Sequence, residues 1–265
     1  MPGFNEREIL VDGVRINVQE AGRGKPLIYL HGAGTLTGFD HLLPLSLKRR
    51  LIVPIHPGFG ASDDDIRVDS VLDYVVHYMG LFDQLGLEEP FDLIGHSLGG
   101  WMASLFTIFN AQRVRRLALA CPAGLRVPEH PTTDLFTIPA DKLASHLVAS
   151  PEILARMAAV NVTNEMRVSR YREMTTLARV AWDRNYEPKF ERWLPKISIP
   201  TLILWGEQDR AIPMQQAKHW ASRLPNSQIA AFAGAGHLLF LESNEAVKRV
   251  VRFFEEDWEG LKQAG

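Results

Sequence analysis

The sequence predicts an α/β fold: a mostly parallel sheet with helices on both faces and an inserted helical cap. Short apolar runs bounded by glycine, proline or charged residues recur along the 265 residues. Their lack of alternation is typical of strands buried on both faces. Helical patterns lie between these runs, which favours parallel strands joined by right-handed crossovers. Over residues 126–195 several helix starts follow one another without a strand, which indicates an insertion covering one end of the sheet.

The first 20 residues predict a β-hairpin. The run REILV leads into Asp12-Gly13, a pair suited to the positive φ angles of a tight turn, and the alternating VRINVQE follows. The buried strands are then expected at PLIYL (26–30), RLIVPI (50–55), FDLIG (91–95), RLALAC (116–121), TLILWG (201–206) and SQIAAF (227–232).

Four helices of the core are predicted from their patterns. In the first, from Asp69 to Leu87, apolar residues recur at steps of three and four and form one buried stripe. The others are expected at residues 98–110, 214–224 and 243–259.

The insertion is expected to form a separate cap. Helix starts within it are indicated by Pro139, by Ser150 before Pro151, by Thr163 before Asn164, and by Pro188. The chain therefore divides into a core domain of residues 1–125 and 196–265 and a cap of residues 126–195.

Composition excludes several classes of protein. The chain is 46% hydrophobic and 23% charged, as in an ordinary globular protein, and its net charge of −2 predicts no nucleic-acid partner. The single cysteine, Cys121, cannot form an internal disulfide or a thiolate metal cluster. Charged residues near the start replace the apolar run of a signal peptide, and no stretch is long enough to span a membrane. We expect a cytoplasmic protein without a membrane partner, and the sequence leaves its oligomeric state open.

One motif indicates a nucleophile. The strand FDLIG leads into Gly95-His96-Ser97-Leu98-Gly99, and a predicted helix follows. This is G-x-S-x-G at a strand-to-helix turn, where the serine hydroxyl is exposed at the carboxyl edge of the sheet and glycines make room for the turn. Ser97 is the predicted nucleophile.

A serine nucleophile needs a base and a carboxylate that orients the base. Asp209 follows the strand TLILWG, and His237 follows the strand SQIAAF after the small-residue loop AGAG. Both loops are expected at the same sheet edge as Ser97, in the order Ser, Asp, His. Glu207 is the nearest competing acid, but it lies closer to the strand end and is expected to point away.

The loop after PLIYL predicts an oxyanion hole. It reads His31-Gly32-Ala33-Gly34, and its small side chains let a backbone N–H point at a developing alkoxide. We assign one donor to Ala33, with Gly34 as the alternative, and the second to Leu98. His31 is expected to brace the loop.

These motifs together resemble those of the α/β-hydrolase superfamily over nearly the whole chain. The resemblance rests on HGAG at 31–34, HPGFGAS at 56–62, GHSLGG at 95–100, IPTLILWGEQDRAIP at 199–213 and GAGHLLFLE at 234–242. It implies an eight-stranded sheet with an antiparallel second strand, a cap after the sixth strand, and the site roles given above. His56 stands where many relatives carry an acid with a bracing role, which leaves its own role open.

The substrate is the open question. Our first hypothesis is a serine hydrolase that cleaves an ester, thioester or lactone of a small, largely apolar acid, and a carbon–carbon hydrolase acting on a vinylogous diketone acid is the alternative. For that alternative, Arg179 in the cap could bind the substrate carboxylate, but relatives of this class carry tryptophan just after the catalytic histidine, where this chain has Leu238. A ligand-binding receptor with little turnover is the third hypothesis. No metal or dinucleotide motif occurs, so we expect no cofactor; the candidate substrate contacts are Trp101, Phe136, Met157, Arg179, Leu238 and Phe240.

Overall fold

The computed structural model describes residues 3–35 and 37–258. Within them one sheet has eight strands in the order β1-β2-β4-β3-β5-β6-β7-β8. The second strand is antiparallel to both its neighbours and every other pair is parallel, which confirms the predicted fold class. The strands are β1 (Asn5–Val11), β2 (Val14–Ala21), β3 (Lys25–Leu30), β4 (Arg49–Pro54), β5 (Phe91–His96), β6 (Val114–Ala120), β7 (Thr201–Gly206) and β8 (Ser227–Phe232).

Four helices pack against this sheet close to their predicted positions. They are α1 (Val71–Gln84), α2 (Leu98–Phe109), α7 (Gln216–Arg223) and α9 (Asn244–Glu255). The first begins where Ser70 and Asp73 form a capping box, in which each side chain bonds the other's backbone N–H. The last was predicted to reach residue 259, which lies outside the described residues, as do residues 260–265 of the predicted core domain.

The cap region consists of helices and loops. All residues between β6 and β7 are described, and apart from an isolated bridge between Gly124 and Tyr186 they contain no strand pairing. Ser150 and Thr163 cap two of these helices with their hydroxyls, as their sequence signals indicate. The helix expected from Pro139 begins later, because Pro139 starts only a single turn closed by the Lys142 N–H. The helices are α3 (Leu143–Leu147), α4 (Pro151–Ala158), α5 (Asn164–Ala181) and α6 (Phe190–Trp193), and α8 (Leu239–Glu242) follows β8.

Several cap segments form hydrogen bonds to the core, and one of them is α5. Its Arg172 donates to the carbonyl of Gly60, and Thr176 Oγ1 donates to the carbonyl of Gly58 at 3.3 Å. Both acceptors belong to the loop that follows β4 at the carboxyl edge of the sheet. Helix α5 therefore lies over that edge, where ligands bind in open α/β sheets. The boundaries of a separate cap domain stay a prediction.

The hydrophobic core lies between the sheet and its helices. Strands β5 and β7 are buried along their whole length, which explains why their sequences show no alternation. An aromatic cluster of Tyr78, Phe82, Phe91 and Phe106 joins α1 and α2 to β5. Among the described residues, no helix is both long enough and apolar enough to cross a membrane.

Candidate active site

Ser97 lies on a strained turn between β5 and α2. Its φ is +54° and its ψ is −118°, a conformation that residues with a Cβ rarely adopt. Two glycines make the turn sterically feasible: a Cβ on Gly95 would lie 2.4 Å from the Gly99 carbonyl oxygen, and a Cβ on Gly99 would lie 2.1 Å from that of Leu30. The turn presents the hydroxyl at the carboxyl edge of the sheet.

The structure brings Ser97, His237 and Asp209 into one chain of hydrogen bonds. The serine Oγ lies 2.9 Å from His237 Nε2, and His237 Nδ1 lies 2.8 Å from Asp209 Oδ2. All three residues are buried. A carboxylate that accepts from Nδ1 leaves Nε2 free to take the serine proton, which is the arrangement of a base-activated nucleophile.

Asp209 is fixed by its own loop. Its second oxygen, Oδ1, accepts from the backbone N–H groups of Ala211 at 2.9 Å and Ile212 at 2.8 Å. Three donors therefore hold the carboxylate in the orientation that contacts His237. Glu207, in the same loop, is exposed.

Two backbone N–H groups beside Ser97 are available as donors. Within the described residues, neither the Ala33 nor the Leu98 N–H donates to a protein acceptor; Leu98 opens α2, where N–H groups have no helical partner. The Gly34 N–H is already used by the carbonyl of Gly32 at 2.8 Å, which disfavours it as the alternative donor. A Cβ on Gly32 would lie 3.2 Å from that of Ser97, so this loop passes directly against the serine.

His31 and His56 brace the same loop from behind. The His56 N–H donates to His31 Nε2 at 3.0 Å, and His56 Nε2 donates to the His31 carbonyl at 2.7 Å. His31 Nδ1 then donates to the Gly32 carbonyl at 2.7 Å. Burial lowers the pKa of His31 to about 4 and that of His56 well below its usual value, so both rings are neutral. His56, whose role the sequence leaves open, thus supports the loop as the acid of its relatives is expected to.

His96 performs a similar function on the other side of Ser97. Its Nε2 donates to the backbone carbonyl of His237 at 2.8 Å. Burial lowers the pKa of His96 to about 3, and the neighbouring imidazole of His237 adds to this effect. A neutral His96, the residue before the serine, therefore links the nucleophile turn to the loop that carries His237.

Cys121 lies behind the triad rather than in the cavity. It is fully buried at the end of β6 with a φ of +43°, and its sulfur, an Asp209 oxygen and a His237 nitrogen lie within 4.8 Å of one another. Burial raises the pKa of the thiol well above its usual value. These three residues are a donor set for a metal ion, but a cation there would compete with the hydrogen bond between Asp209 and His237.

A cavity of about 200 Å³ opens onto Ser97 and His237 beneath the cap. Three of the predicted substrate contacts, Met157, Leu238 and Phe240, line it. Most of its other walls are apolar and come from both the core and the cap, among them Tyr29, Phe39, Leu135, Leu143, Leu147 and Met174.

The other three predicted contacts lie outside this cavity. Trp101 turns into the core, where its ring meets Phe190 at 6.3 Å. Phe136 instead packs against Trp182 at 5.0 Å, and its neighbour Leu135 takes its place in the wall. Arg179 forms an ion pair with Asp64 at 2.6 Å on the outer side of the site. The structure therefore does not bring these three residues to the cavity at Ser97.

Two charged cavity residues were missed by sequence reasoning. Arg170 and Glu173 both lie on α5 and both line the cavity with Ser97. Their spacing of three places them on one side of the helix, and that was the available signal. The sequence does not show which side of α5 meets the cavity, because this depends on how the cap docks.

Comparisons with known proteins point to one family. The sequence model described as "Alpha/beta hydrolase family" matches residues 27–250. A 2-hydroxymuconate semialdehyde hydrolase of Pseudomonas putida is 29% identical, with 96% of this chain and 95% of the relative covered. A 2-hydroxy-6-oxo-2,4-heptadienoate hydrolase of Pseudomonas putida is 27% identical, with 94% of this chain and 95% of the relative covered.

The fold is also similar to that of solved structures. A meta-cleavage product hydrolase from Pseudomonas fluorescens superimposes with a TM-score of 0.77 at 24% identity, covering 94% of this chain and 97% of the other. With a family model that spans most of the sequence, and a sheet and nucleophile turn of the expected form, the chain belongs to the alpha/beta hydrolase family.

Proposed function

We propose that this protein hydrolyses a carbon–carbon bond in a small vinylogous diketone acid, of the type 2-hydroxy-6-oxohepta-2,4-dienoate. Relatives that match nearly the whole chain carry names of this activity. This reverses the order of the two hypotheses drawn from the sequence, where ester hydrolysis came first. The observation that carries the proposal is a cation that lines the same cavity as the serine.

That cation is Arg170. Its Nη2 donates to the carbonyl of Ala140 at 2.8 Å, and within the described residues it forms no ion pair with an acid. Its remaining N–H groups are therefore available to a ligand, and a guanidinium binds a carboxylate through two parallel hydrogen bonds. Arg179, assigned this task from the sequence, is already neutralised by Asp64.

In the proposed reaction, Ser97 Oγ attacks the C6 ketone after the 2-hydroxydienoate has moved its hydroxyl proton to C5. His237 takes the serine proton, Asp209 stabilises the charged imidazole, and the N–H groups of Ala33 and Leu98 bind the oxyanion. The C5–C6 bond then breaks, and its electron pair is delocalised onto the C2 carbonyl while His237 returns the proton. Water hydrolyses the acyl group left on Ser97 with His237 again as base.

The size of the cavity favours a short acyl group. Its volume of about 200 Å³ is below the range typical of pockets for drug-sized ligands. We therefore expect acids that release a formyl or acetyl group to be cleaved faster than those with an aryl ketone.

A charge-removing variant at Arg170 tests the assignment of the carboxylate site. Arg170→Gln is expected to raise KM for 2-hydroxy-6-oxohepta-2,4-dienoate by about 10- to 100-fold, since a charge-assisted hydrogen bond contributes about 1.5–3 kcal/mol. Arg179→Gln is the matched control from the same helix and should leave KM unchanged. Equal effects of the two substitutions, measured by loss of dienoate absorbance, would contradict the assignment.

Ester, thioester or lactone hydrolysis by the same triad is the second candidate. Leu238 follows His237 directly and lines the cavity, at the position where the family resemblance implies tryptophan in carbon–carbon hydrolases. An apolar residue there suits an uncharged acyl chain. Nitrophenyl acetate and butyrate discriminate the candidates: an ester hydrolase cleaves them well and leaves the dienoate intact.

A further inference from the structure

Glu173 is the second charged residue in the cavity, and triad chemistry does not require it. It is only 2% exposed, yet within the described part of the chain no basic side chain forms an ion pair with it. A buried carboxylate without a cation is costly unless hydrogen bonds or a ligand compensate for lost water. The hydrogen bonds that Glu173 already accepts therefore show whether it can accept another from a ligand.

The two oxygens of Glu173 are used unequally. Oε1 accepts from Thr35 Oγ1 at 2.5 Å and from the Gly60 N–H at 3.0 Å. Oε2 accepts only a long bond of 3.3 Å from the Thr35 N–H. A carboxylate oxygen has two lone pairs, so Oε2 keeps the capacity to accept from a ligand.

Oε2 also lies on the side of the oxyanion loop, the loop of residues 31–34 that carries the Ala33 N–H. A Cβ built on Gly34, itself a wall residue, would lie 3.8 Å from this oxygen, which is ordinary contact distance. Thr35 is two residues beyond Ala33, a separation of at most about 7 Å along the chain. Glu173 is thus hydrogen bonded to the loop that carries the Ala33 N–H.

Arg170 and Glu173 can contact neighbouring groups of one ligand. Residues three apart on a helix share a side, and these two present a donor fork and an acceptor to the same cavity. A 2-hydroxy acid has the complementary pair, a carboxylate and a hydroxyl on adjacent carbons.

We infer that Glu173 accepts a hydrogen bond from the 2-hydroxyl of the dienoate as it binds, before this proton moves to C5, and that Arg170 and Glu173 together select acids that carry this hydroxyl. The inference rests on the proposed function. It makes Glu173 a specificity residue, which selects among acids that Arg170 alone would bind equally.

Binding measurements in the Ser97→Ala protein test this inference, because bound substrate is then not consumed. The dissociation constants of 2-hydroxy-6-oxohepta-2,4-dienoate and of 6-oxohepta-2,4-dienoate, which lacks the hydroxyl, are compared with and without Glu173→Gln. Glu173→Gln should reduce the preference for the hydroxylated acid by about tenfold, the value of a lost charge-assisted bond.

Thr35→Val is the control for loop disturbance. It removes a donor to Oε1 but leaves Oε2 in place, and it should change both dissociation constants by the same factor. An unchanged preference in Glu173→Gln, with the parent enzyme still cleaving the dienoate, overturns the inference alone. If the Ser97→Ala protein binds neither acid and the parent enzyme cleaves neither, the proposed function fails as well.

Discussion

At the scale of single residues, the site is formed before substrate arrives. The strained φ of Ser97, the three donors on Asp209 and the neutral rings of His31, His56 and His96 all fix groups that would otherwise reorient during the reaction. Preorganised donors of this kind stabilise a transition state without a reorganisation cost.

Removing the charge of Asp209 tests this arrangement. Asp209→Asn is expected to lower kcat by about 10⁴, because an amide favours the wrong tautomer of His237 and cannot stabilise the imidazolium. The exposed neighbour Glu207 supplies the control, since Glu207→Gln should leave kcat unchanged. Steady-state rates of both variants, with circular dichroism to verify folding, check the prediction. A loss of less than tenfold in Asp209→Asn would exclude its orienting role.

Sequence analysis predicted the positions of those site residues that lie directly after a strand, because the strand fixes where they lie in the fold. Ser97 lies at a strand-to-helix turn, and Asp209 and His237 lie in loops after neighbouring strands, so strand order alone brings them to one edge. Trp101 and Arg179 were misplaced because their positions depend on the rotation of a helix against its neighbours. The hydrophobic pattern of α5 does not show which of Arg170 and Arg179 faces the cavity.

At the scale of elements, the start of α2 carries a tight steric constraint. Strand β3 and the oxyanion loop pass so close to Gly99 that an added Cβ would contact backbone carbonyls of Leu30 and His31 at 2.1 and 2.5 Å. These backbone atoms cannot move aside as the end of a flexible side chain can. Packing here therefore couples the nucleophile turn to the oxyanion loop.

Gly99→Ala is expected to destabilise the protein by about 3 kcal/mol, as overpacking does, and to lower kcat by displacing the oxyanion loop. Gly80→Ala, in the middle of α1, is the control. There the added Cβ meets only a side-chain methyl of Val11 at 3.3 Å, and stability should change by less than about 1 kcal/mol. Urea unfolding measures both variants, and equal stability of Gly99→Ala and the parent would refute the steric account.

Element boundaries followed local signals where a cap or a hairpin turn was present. Ser70, Ser150 and Thr163 start helices as predicted, and Asp12-Gly13 turns the hairpin with φ of +51° and +83°. The short helices α6 and α8 contain four residues each and have no such caps. Pro188 marks the start of α6 two residues early, whereas no predicted signal marks α8, whose form comes from tertiary packing.

At the scale of the whole molecule, the buried histidines make stability depend on pH. The folded protein accepts a proton on His31 only near pH 4 and on His96 only near pH 3, whereas the unfolded chain accepts it at its ordinary pKa of 6.5. Between these values the unfolded state binds more protons, so stability falls as the pH falls below about 6.5 and is complete above it.

Lowering the pH from 7 to 5 should reduce the free energy of unfolding by about 2 kcal/mol for each of these two histidines. In His31→Asn the free energy of unfolding should fall by about 2 kcal/mol less than in the parent between pH 7 and pH 5. The variant should nevertheless be less stable than the parent at pH 7. Urea unfolding at both pH values gives the result. A free energy that does not change with pH would show that these rings bind protons in the folded protein as readily as in the unfolded chain.

The central claim is that a serine triad beneath a cap breaks a carbon–carbon bond. Its most direct test is to incubate the purified protein with 2-hydroxy-6-oxohepta-2,4-dienoate and identify the products by mass spectrometry. The account predicts acetate and 2-hydroxypenta-2,4-dienoate in equal amounts, and neither from Ser97→Ala. Intact dienoate beside rapid hydrolysis of nitrophenyl acetate would contradict it.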